Sequence, residues 1–229
     1  MRRVRDVAFV VPVYNEASVI GDVIAGIMHV TPHVVCVNDG SRDASAAEIL
    51  KAGAFLVDHP INMGQGAALQ TGIEFARVLP GINRFVTFDA DGQHLVEDAV
   101  RMLGILEDGE IDIVLGSRFL GGSVGASWSK KALLRAAVRF SNVTSGVRLT
   151  DAHNGLRAFN RHVADTIEIT CPDMTHASEI VELIARNGYR YREVPVTIHY
   201  TQYSRAKGQA SLNAINIAVD TLLRKVGRQ

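Results

Sequence analysis

The chain has 229 residues, 47% of them hydrophobic, with 24 Lys plus Arg balanced by 24 Asp plus Glu. That length holds one large domain with a substantial core, the apolar content excludes wholesale disorder, and the balanced charge excludes a general affinity for nucleic acid. Two cysteines, Cys36 inside an apolar run and Cys171, make no disulfide framework, so a reducing cytoplasm is expected; no uninterrupted apolar stretch spans a hydrocarbon core of about 30 Å, so the expectation is a soluble or peripheral protein.

Strand-like and helical patterns alternate through the first half. Val7 to Val13 reads as a strand and Ala17 to Met28 as an amphipathic helix. Val34 to Val37 with Ala44 to Ala52, Phe55 to Val57 with Ala67 to Leu79, and Arg84 to Phe88 with Val96 to Glu107 repeat the pairing, and Ile111 to Leu115 adds a strand. The alternation predicts an α/β protein with a mainly parallel sheet flanked by helices on both faces. Right-handed crossovers bring the carboxyl ends of such strands to one edge, where open sheets bind ligands. Tyr14-Asn15-Glu16, Asp39-Gly40-Ser41 and Asp89 to His94 each follow a strand and are expected to share one crevice. From Ser117 the alternation stops. A glycine-rich turn (Gly121, Gly122, Gly125) precedes a helix around Lys130 to Asn142 and a polar loop, Thr150 to Gly155. A helix through Ile180 to Ala185, an extended Tyr189 to His199 and an amphipathic helix over Leu212 to Val226 follow.

Asp89-Ala90-Asp91-Gly92-Gln93-His94 is the most informative segment. It follows the apolar run Phe85 to Phe88, so both carboxylates emerge at a strand end with Gln93 and His94 close behind. Hard oxygen ligands in an open loop suit Mg²⁺ or Mn²⁺, which keep coordination positions free for substrate phosphates. In isolation an Asp-x-Asp reads more readily as an acidic turn. Context favours a site: Val86 to Gly116 holds Asp89, Asp91, Glu97, Asp98, Glu107, Asp108, Glu110 and Asp112 against Arg101. Ser117 to Arg161 inverts this, with Arg118, Lys130, Lys131, Arg135, Arg139, Arg148, Arg157 and Arg161 against Asp151. A metal-binding half facing an anion-binding half fits that split.

Val11-Pro12-Val13-Tyr14-Asn15-Glu16, Asn38-Asp39-Gly40-Ser41, Asn62-Met63-Gly64-Gln65-Gly66, Asp89-Ala90-Asp91, Gly116-Ser117-Arg118, Asp151 to Gly155 with Arg157, and Glu193-Val194-Pro195 occur in one order along the chain. That ordered set resembles family two glycosyltransferases, and within them the polyprenyl-phosphate sugar synthases acting on dolichol or undecaprenyl phosphate. The resemblance implies a GT-A fold and a UDP- or GDP-linked sugar donor. It implies a catalytic domain over 1–211, with a nucleotide-sugar-binding half of about 1–116 and an acceptor-side half of helices and loops over 117–211, then a C-terminal helix over 212–229. It gives Pro12, Tyr14, Glu16 and Asp39 to the nucleoside, and Asp91 with Gln93 to the metal. Asp89, beside Ala90, either touches the nucleotide or orders the loop. Asn62, Gly64 and Gly66 make a turn before a helix that can turn backbone N–H groups toward phosphate; many relatives have Lys or Arg where this chain has Gln65. Arg118 is expected near the acceptor, and Arg205 and Lys207 in a basic loop over the phosphates.

Asp151 is either a base for a hydroxyl acceptor or a positioning residue, because a lipid phosphate is already ionised and needs no strong base. Lys131, Arg135 and Arg139 recur every four residues on the helix expected around Lys130 to Asn142, a pattern able to rest on anionic lipid. Leu212, Ile215, Val219, Leu222 and Val226 make a second stripe that can pack on the domain, pair two subunits as a homodimer or lie at the bilayer. The expected function is metal-dependent, inverting transfer of a sugar from a nucleotide to a polyprenyl phosphate. The expected location is the inner face of the cell membrane, reached by peripheral attachment or through a small membrane partner protein. A saccharide acceptor in cell-envelope synthesis, or a noncatalytic nucleotide-sugar-binding subunit, are the alternatives. A nucleotidyltransferase is disfavoured because Val11 to Glu16 stands where a triphosphate loop would be.

Overall fold

The structure, a computed structural model, describes residues 4–124, 147–173 and 175–199. Strand β1 (Val7–Val13) leads through α1 (Ile20–Met28) to β2 (Val34–Asp39), and α2 (Ser45–Ala52) leads to β3 (Phe55–His59). Helix α3 (Gln65–Val78) then precedes β4 (Arg84–Thr87), and α4 (Val96–Leu106) precedes β5 (Ile113–Val124). Strand β6 (Arg157–Asn160), α5 (Arg161–Thr166), α6 (His176–Asn187) and β7 (Tyr191–His199) complete the described elements. The strands form one seven-stranded sheet in the order β3-β2-β1-β4-β6-β5-β7. Neighbours are parallel except at β6, which runs antiparallel to both β4 and β5.

Strand side chains alternate between two cores. Val7, Phe9 and Val11 pack with Ile20, Ile24 and Ile27 of α1 and Met102 of α4. Ala8 and Val10 face the other way, toward Leu69 and Ile73 of α3 and Ile180 and Ile184 of α6. A strand covered on both faces must be apolar almost throughout, which is why β1 and β2 read as continuous Val-rich runs.

The α/β alternation of the first half is observed, with α1 starting at Ile20 instead of Ala17, because Val19 and Ile20 N–H groups close a turn on the Glu16 carbonyl. Two expectations are corrected. Gly121 and Gly122 lie in β5, whose pairing with β7 resumes at Gly122 after a register shift from Ser117, and they do not form a turn. Strand β6 was not expected: its four residues begin with a charged one and carry no alternation long enough to read. The helix around Lys130 to Asn142, the stripe from Leu212 to Val226, and Gly125, Arg135, Arg205 and Lys207 lie outside the described residues.

The strand order positions the site. The chain moves outward from β1 to β2 to β3 and then returns across β1 to β4. The segments leaving β1 and β4 therefore diverge, and a crevice opens between them at the carboxyl ends of the strands.

Candidate active site

A cleft of about 430 Å³ occupies that crevice, within the range of small-ligand sites. Its wall takes Pro12, Tyr14 and Glu16 from the end of β1 and beyond, Asp39 from β2, and Asn62 and Gly64 from the turn before α3. Asp89, Ala90, Asp91 and Gln93 come from the segment after β4, and Arg118 from β5. Of the described candidates, Gly66 and Asp151 stand outside the wall.

At the β2 end, Asp39 is buried and tightly held. Its Oδ1 accepts bonds from the Met63 N–H (2.8 Å) and from His59 Nδ1 (2.8 Å), and its Oδ2 accepts the Gly64 N–H (2.8 Å). His59 is itself fixed by Thr71 Oγ1 at 3.0 Å from Nε2. A carboxylate oxygen takes two hydrogen bonds, so Oδ2 keeps capacity for one donor from the cleft. The segment after β1 is sewn to the segment after β2 by four bonds, one of them from the Ala17 N–H to Asp43 Oδ2 at 3.1 Å. The Asn15 N–H donates to Ser41 Oγ (2.9 Å), the Glu16 N–H to Ser45 Oγ (2.8 Å), and the Arg42 N–H to Asn15 Oδ1 (2.8 Å). Asn15 adopts φ +54°, a left-handed conformation that Asn tolerates well.

The Gly64–Gly66 turn departs from expectation. The Gly64 N–H is spent on Asp39, and the Gly66 N–H donates to the Pro172 carbonyl at 2.6 Å. These amides hold the protein together instead of facing a phosphate. Gly66 is buried against the segment before α6, where a Cβ would stand 2.0 Å from the Cys171 carbonyl oxygen.

Beside β4, Asp89 is oriented by the protein. It accepts bonds from Gln65 Nε2 (3.1 Å to Oδ1) and from His94 Nε2 (2.9 Å to Oδ2). Gln65 thus serves in the acidic segment, and no positive charge reaches Asp89 from that position. Burial opposes the Asp89 charge, but the His94 bond and the fields of His94, Arg157 and His176 outweigh it and hold the carboxyl below its usual range. Asp91 behaves oppositely: burial, then the charges of Asp89 and Glu16, push its carboxyl up to about 6. Its Oδ1 accepts the Gln93 N–H and its Oδ2 accepts Gln93 Nε2 at 2.6 Å. A buried carboxylate made uncomfortable by other carboxylates suits a divalent cation. Asp91 and the Gln93 amide oxygen could hold one, with Asp89 alongside. Among the described residues no group of three or more His, Cys, Asp or Glu side chains forms a metal cage. Further ligands would have to come from phosphate and water, as for Mg²⁺ on a nucleotide.

At the β5 end, Arg118 grips Asp151 through Nε (2.6 Å to Oδ2) and Nη2 (3.2 Å to Oδ1), and its N–H adds a third bond at 3.1 Å. Asp151 is 2% exposed and lies behind Arg118. Glu193 explains a motif whose purpose the sequence left open. Its carboxylate accepts the N–H groups of Thr150 (2.7 Å) and Asp151 (3.0 Å), so β7 fixes the loop that carries Asp151. The register shift in β5 starts at Ser117, and such irregularities commonly re-aim side chains beside active sites.

His94 lines the cleft, as expected from its place in the segment after β4, and His153 lines it too; sequence reasoning gave no site role to the other wall residues Asn154, Gly155, Arg157 and His176. Arg157 stood only as part of a motif, and nothing in its local sequence says that it is buried. His153 and His176 are both held neutral near pH 7, since burial pulls each down to about 4.

Residues 8–167 match glycosyl transferase family 2. Polyprenol monophosphomannose synthase of Mycolicibacterium smegmatis is 28% identical over 91% of this chain and 81% of its own length. Dolichyl-phosphate hexose transferase of Haloferax volcanii is 31% identical over 83% of this chain and 82% of its own. Among solved structures, glucosyl-3-phosphoglycerate synthase from Mycobacterium tuberculosis, in complex with Mn²⁺, UDP-glucose and phosphoglyceric acid, superposes with a TM-score of 0.70 at 18% identity. The match covers 94% of this chain and 79% of that one, and it supports the GT-A fold. With the family matched over most of its length, this chain belongs to glycosyl transferase family 2 and is a glycosyltransferase.

Proposed function

We propose that the protein transfers a sugar, with inversion, from a nucleotide to a polyprenyl phosphate in a reaction that depends on a divalent metal. The observation that carries this reading is the single cleft onto which Asp39, Asp91 and Arg118 all open. In this reading Asp39, Asp91 and Arg118 mark a nucleoside site, a cation site and an anion site in turn along the sheet edge. The acceptor class is supported by the similarity to a polyprenol monophosphomannose synthase and a dolichyl-phosphate hexose transferase. The metal is supported by a fold neighbour bound to Mn²⁺ and UDP-glucose.

In this reading Asp39 accepts a donor from base or ribose with its remaining Oδ2 capacity, and Pro12, Tyr14, Glu16 and Asn62 line the nucleoside. Asp91 and Gln93 hold the cation, which when bound would neutralise charge on the departing nucleoside diphosphate. Arg118 draws the acceptor phosphate in, and Asp151 holds Arg118 in a fixed pose. With both oxygens of Asp151 on Arg118, no carboxylate there is available to deprotonate a hydroxyl. That favours an acceptor whose oxygen is already ionised. No helix among the described residues is long and apolar enough to cross a membrane. In this reading the lipid substrate is met in a peripheral mode on the cytoplasmic face. Incubation of the purified protein with UDP- and GDP-sugars, Mn²⁺ or Mg²⁺ and undecaprenyl phosphate should yield a glycosylated lipid phosphate by mass spectrometry. Transfer to free saccharides alone would refute the lipid reading.

A further inference from the structure

We propose that Arg157 and Asn154 form the subsite that binds the hydroxyl groups of the transferred sugar. This rests on the donor reading of the cleft given above. Arg157 is 2% exposed, yet its Nε and Nη1 have no hydrogen-bond partner among the described residues, and the residue lines the cleft. Unpaired guanidinium N–H groups inside a protein carry a full desolvation cost unless a ligand accepts them. Asn154 is in the same state. Its Oδ1 accepts the Leu156 N–H at 2.9 Å, which fixes the amide so that Nδ2 is the buried, unpartnered atom on the cleft wall.

Strand order says which part of a donor meets these groups. Along the sheet edge run β2 with Asp39, β1, β4 followed by Asp89 and Asp91, β6 starting at Arg157, and β5 with Arg118. Strands lie about 4.8 Å apart, close to the width of a hexose ring. A donor whose nucleoside is at Asp39 and whose diphosphate is at Asp91 therefore brings its sugar to β6, between the diphosphate and Arg118. Charge argues against a second phosphate at Arg157. Asp89 and Asp151 both act on its guanidinium, so the surroundings are near neutral and suit neutral hydroxyl oxygens. Arg157 also shares the sheet face of Phe159, which stacks on Phe85 at 5.7 Å. Ala68 of α3 and His176 and Ala177 of α6 line the same cleft.

The test measures affinities by calorimetry with Mn²⁺ for UDP, UDP-glucose, UDP-galactose, UDP-N-acetylglucosamine, GDP and GDP-mannose, in wild type, Arg157→Met and Asn154→Ala. For the best wild-type donor, Arg157→Met should weaken the sugar nucleotide roughly tenfold to hundredfold while leaving the matching free nucleotide within about twofold. Asn154→Ala, which also gives up the bond to the Leu156 N–H, should act in the same direction by a smaller factor and decides the matter if Arg157→Met does not fold. Equal losses for nucleotide and sugar nucleotide would mean a diphosphate contact or a counter-charge for Asp89, and would overturn the proposal, as would an unchanged ratio in a folded variant. A wild type that binds no nucleotide at all would instead bring down the donor reading itself.

Discussion

The segments after β1, β2 and β4 and the segment 151–157 meet across one cleft and treat their polar groups in opposite ways. Asp39 accepts three bonds from the protein, and Asp89 accepts two. Opposite them, His153 Nδ1, Asn154 Nδ2, and Nε and Nη1 of Arg157 are buried without partners among the described residues. In the first region Asp39 and Asp89 are held by the protein, with Asn38 Oδ1 and His94 Nδ1 left buried without partners among the described residues. The second concentrates unmet hydrogen-bonding capacity that a ligand can satisfy. Part of the site is thus preorganised and part is selective, and Asp91 lies at their junction with a charge that neither region neutralises.

Removing that charge should produce the largest effect. Asp91→Asn is expected to lower sugar transfer by about a thousandfold or more, the scale of losing a principal electrostatic stabiliser. Its stability effect has the opposite sign. The Asp91 carboxyl is raised from 3.8 to about 6, so at pH 7 its ionised form is penalised in the folded protein. The substitution should therefore stabilise the metal-free protein, by at most about 3 kcal/mol at roughly 1.4 kcal/mol per unit. Thermal unfolding without metal, beside turnover with Mn²⁺, checks both halves; a variant both inactive and less stable would contradict the account of Asp91.

Gly155→Ala attacks the contact between the two regions. A Cβ at this position would stand 2.2 Å from Asp89 Oδ2 and 2.4 Å from Oδ1, so Asp89 or the loop must move. Thr87 Oγ1 donates to the Gly155 carbonyl at 2.7 Å and limits the retreat of the loop. A loss of stability of about 1–3 kcal/mol is expected from overpacking, with turnover falling about a hundredfold as the acidic segment is displaced. Full activity in Gly155→Ala would show that Asp89 need not be held where it is.

Asp151→Asn distinguishes positioning from base catalysis. An amide still offers one oxygen to Arg118, so a positioning residue should cost about tenfold in turnover and leave the pH profile unchanged. A base would take the reaction down at every pH and remove the ascending limb of the profile.

The two regions were also unequally legible in the sequence. Runs such as Val7 to Val13 and Val34 to Val37 announce buried parallel strands, and the acidic segment after Phe88 announces itself by composition. Those features are local, and the cleft wall follows from them once the strand order is known. Segment 151–157 works through partners far away in the chain. Arg118 and Asp151 are 33 residues apart, and Glu193 reaches Thr150 across 43. Neither pairing leaves a periodic trace. The antiparallel insertion of β6 buries an arginine at a strand end, a place where local pattern predicts solvent exposure. The motif order located the loop, but only the fold shows that Asp151 faces Arg118 and not the cleft.

The smallest expected change sharpens the comparison through pH. His176 lies on the selective side, near Arg157, Asp89 and Glu179, with Nδ1 donating to the Asp173 carbonyl at 2.7 Å. Burial, followed by the Arg157 charge, lowers its pKa from 6.5 to about 4. Above pH 6.5 the histidine is neutral in both folded and unfolded chains and adds no pH dependence. As pH falls below 6.5 the unfolded chain takes up a proton that the folded one refuses, so stability drops until about pH 4 and then levels. The cost near pH 6 is about 1 kcal/mol. In His176→Asn, whose amide can keep the bond to Asp173, that loss should vanish while stability at pH 8 stays near wild type. Asp91, which titrates in the opposite sense, is common to both proteins and cancels in the difference. Denaturant midpoints at pH 8 and pH 6 measure the effect, and parallel declines in the two proteins would mean that His176 gains a proton as readily folded as unfolded.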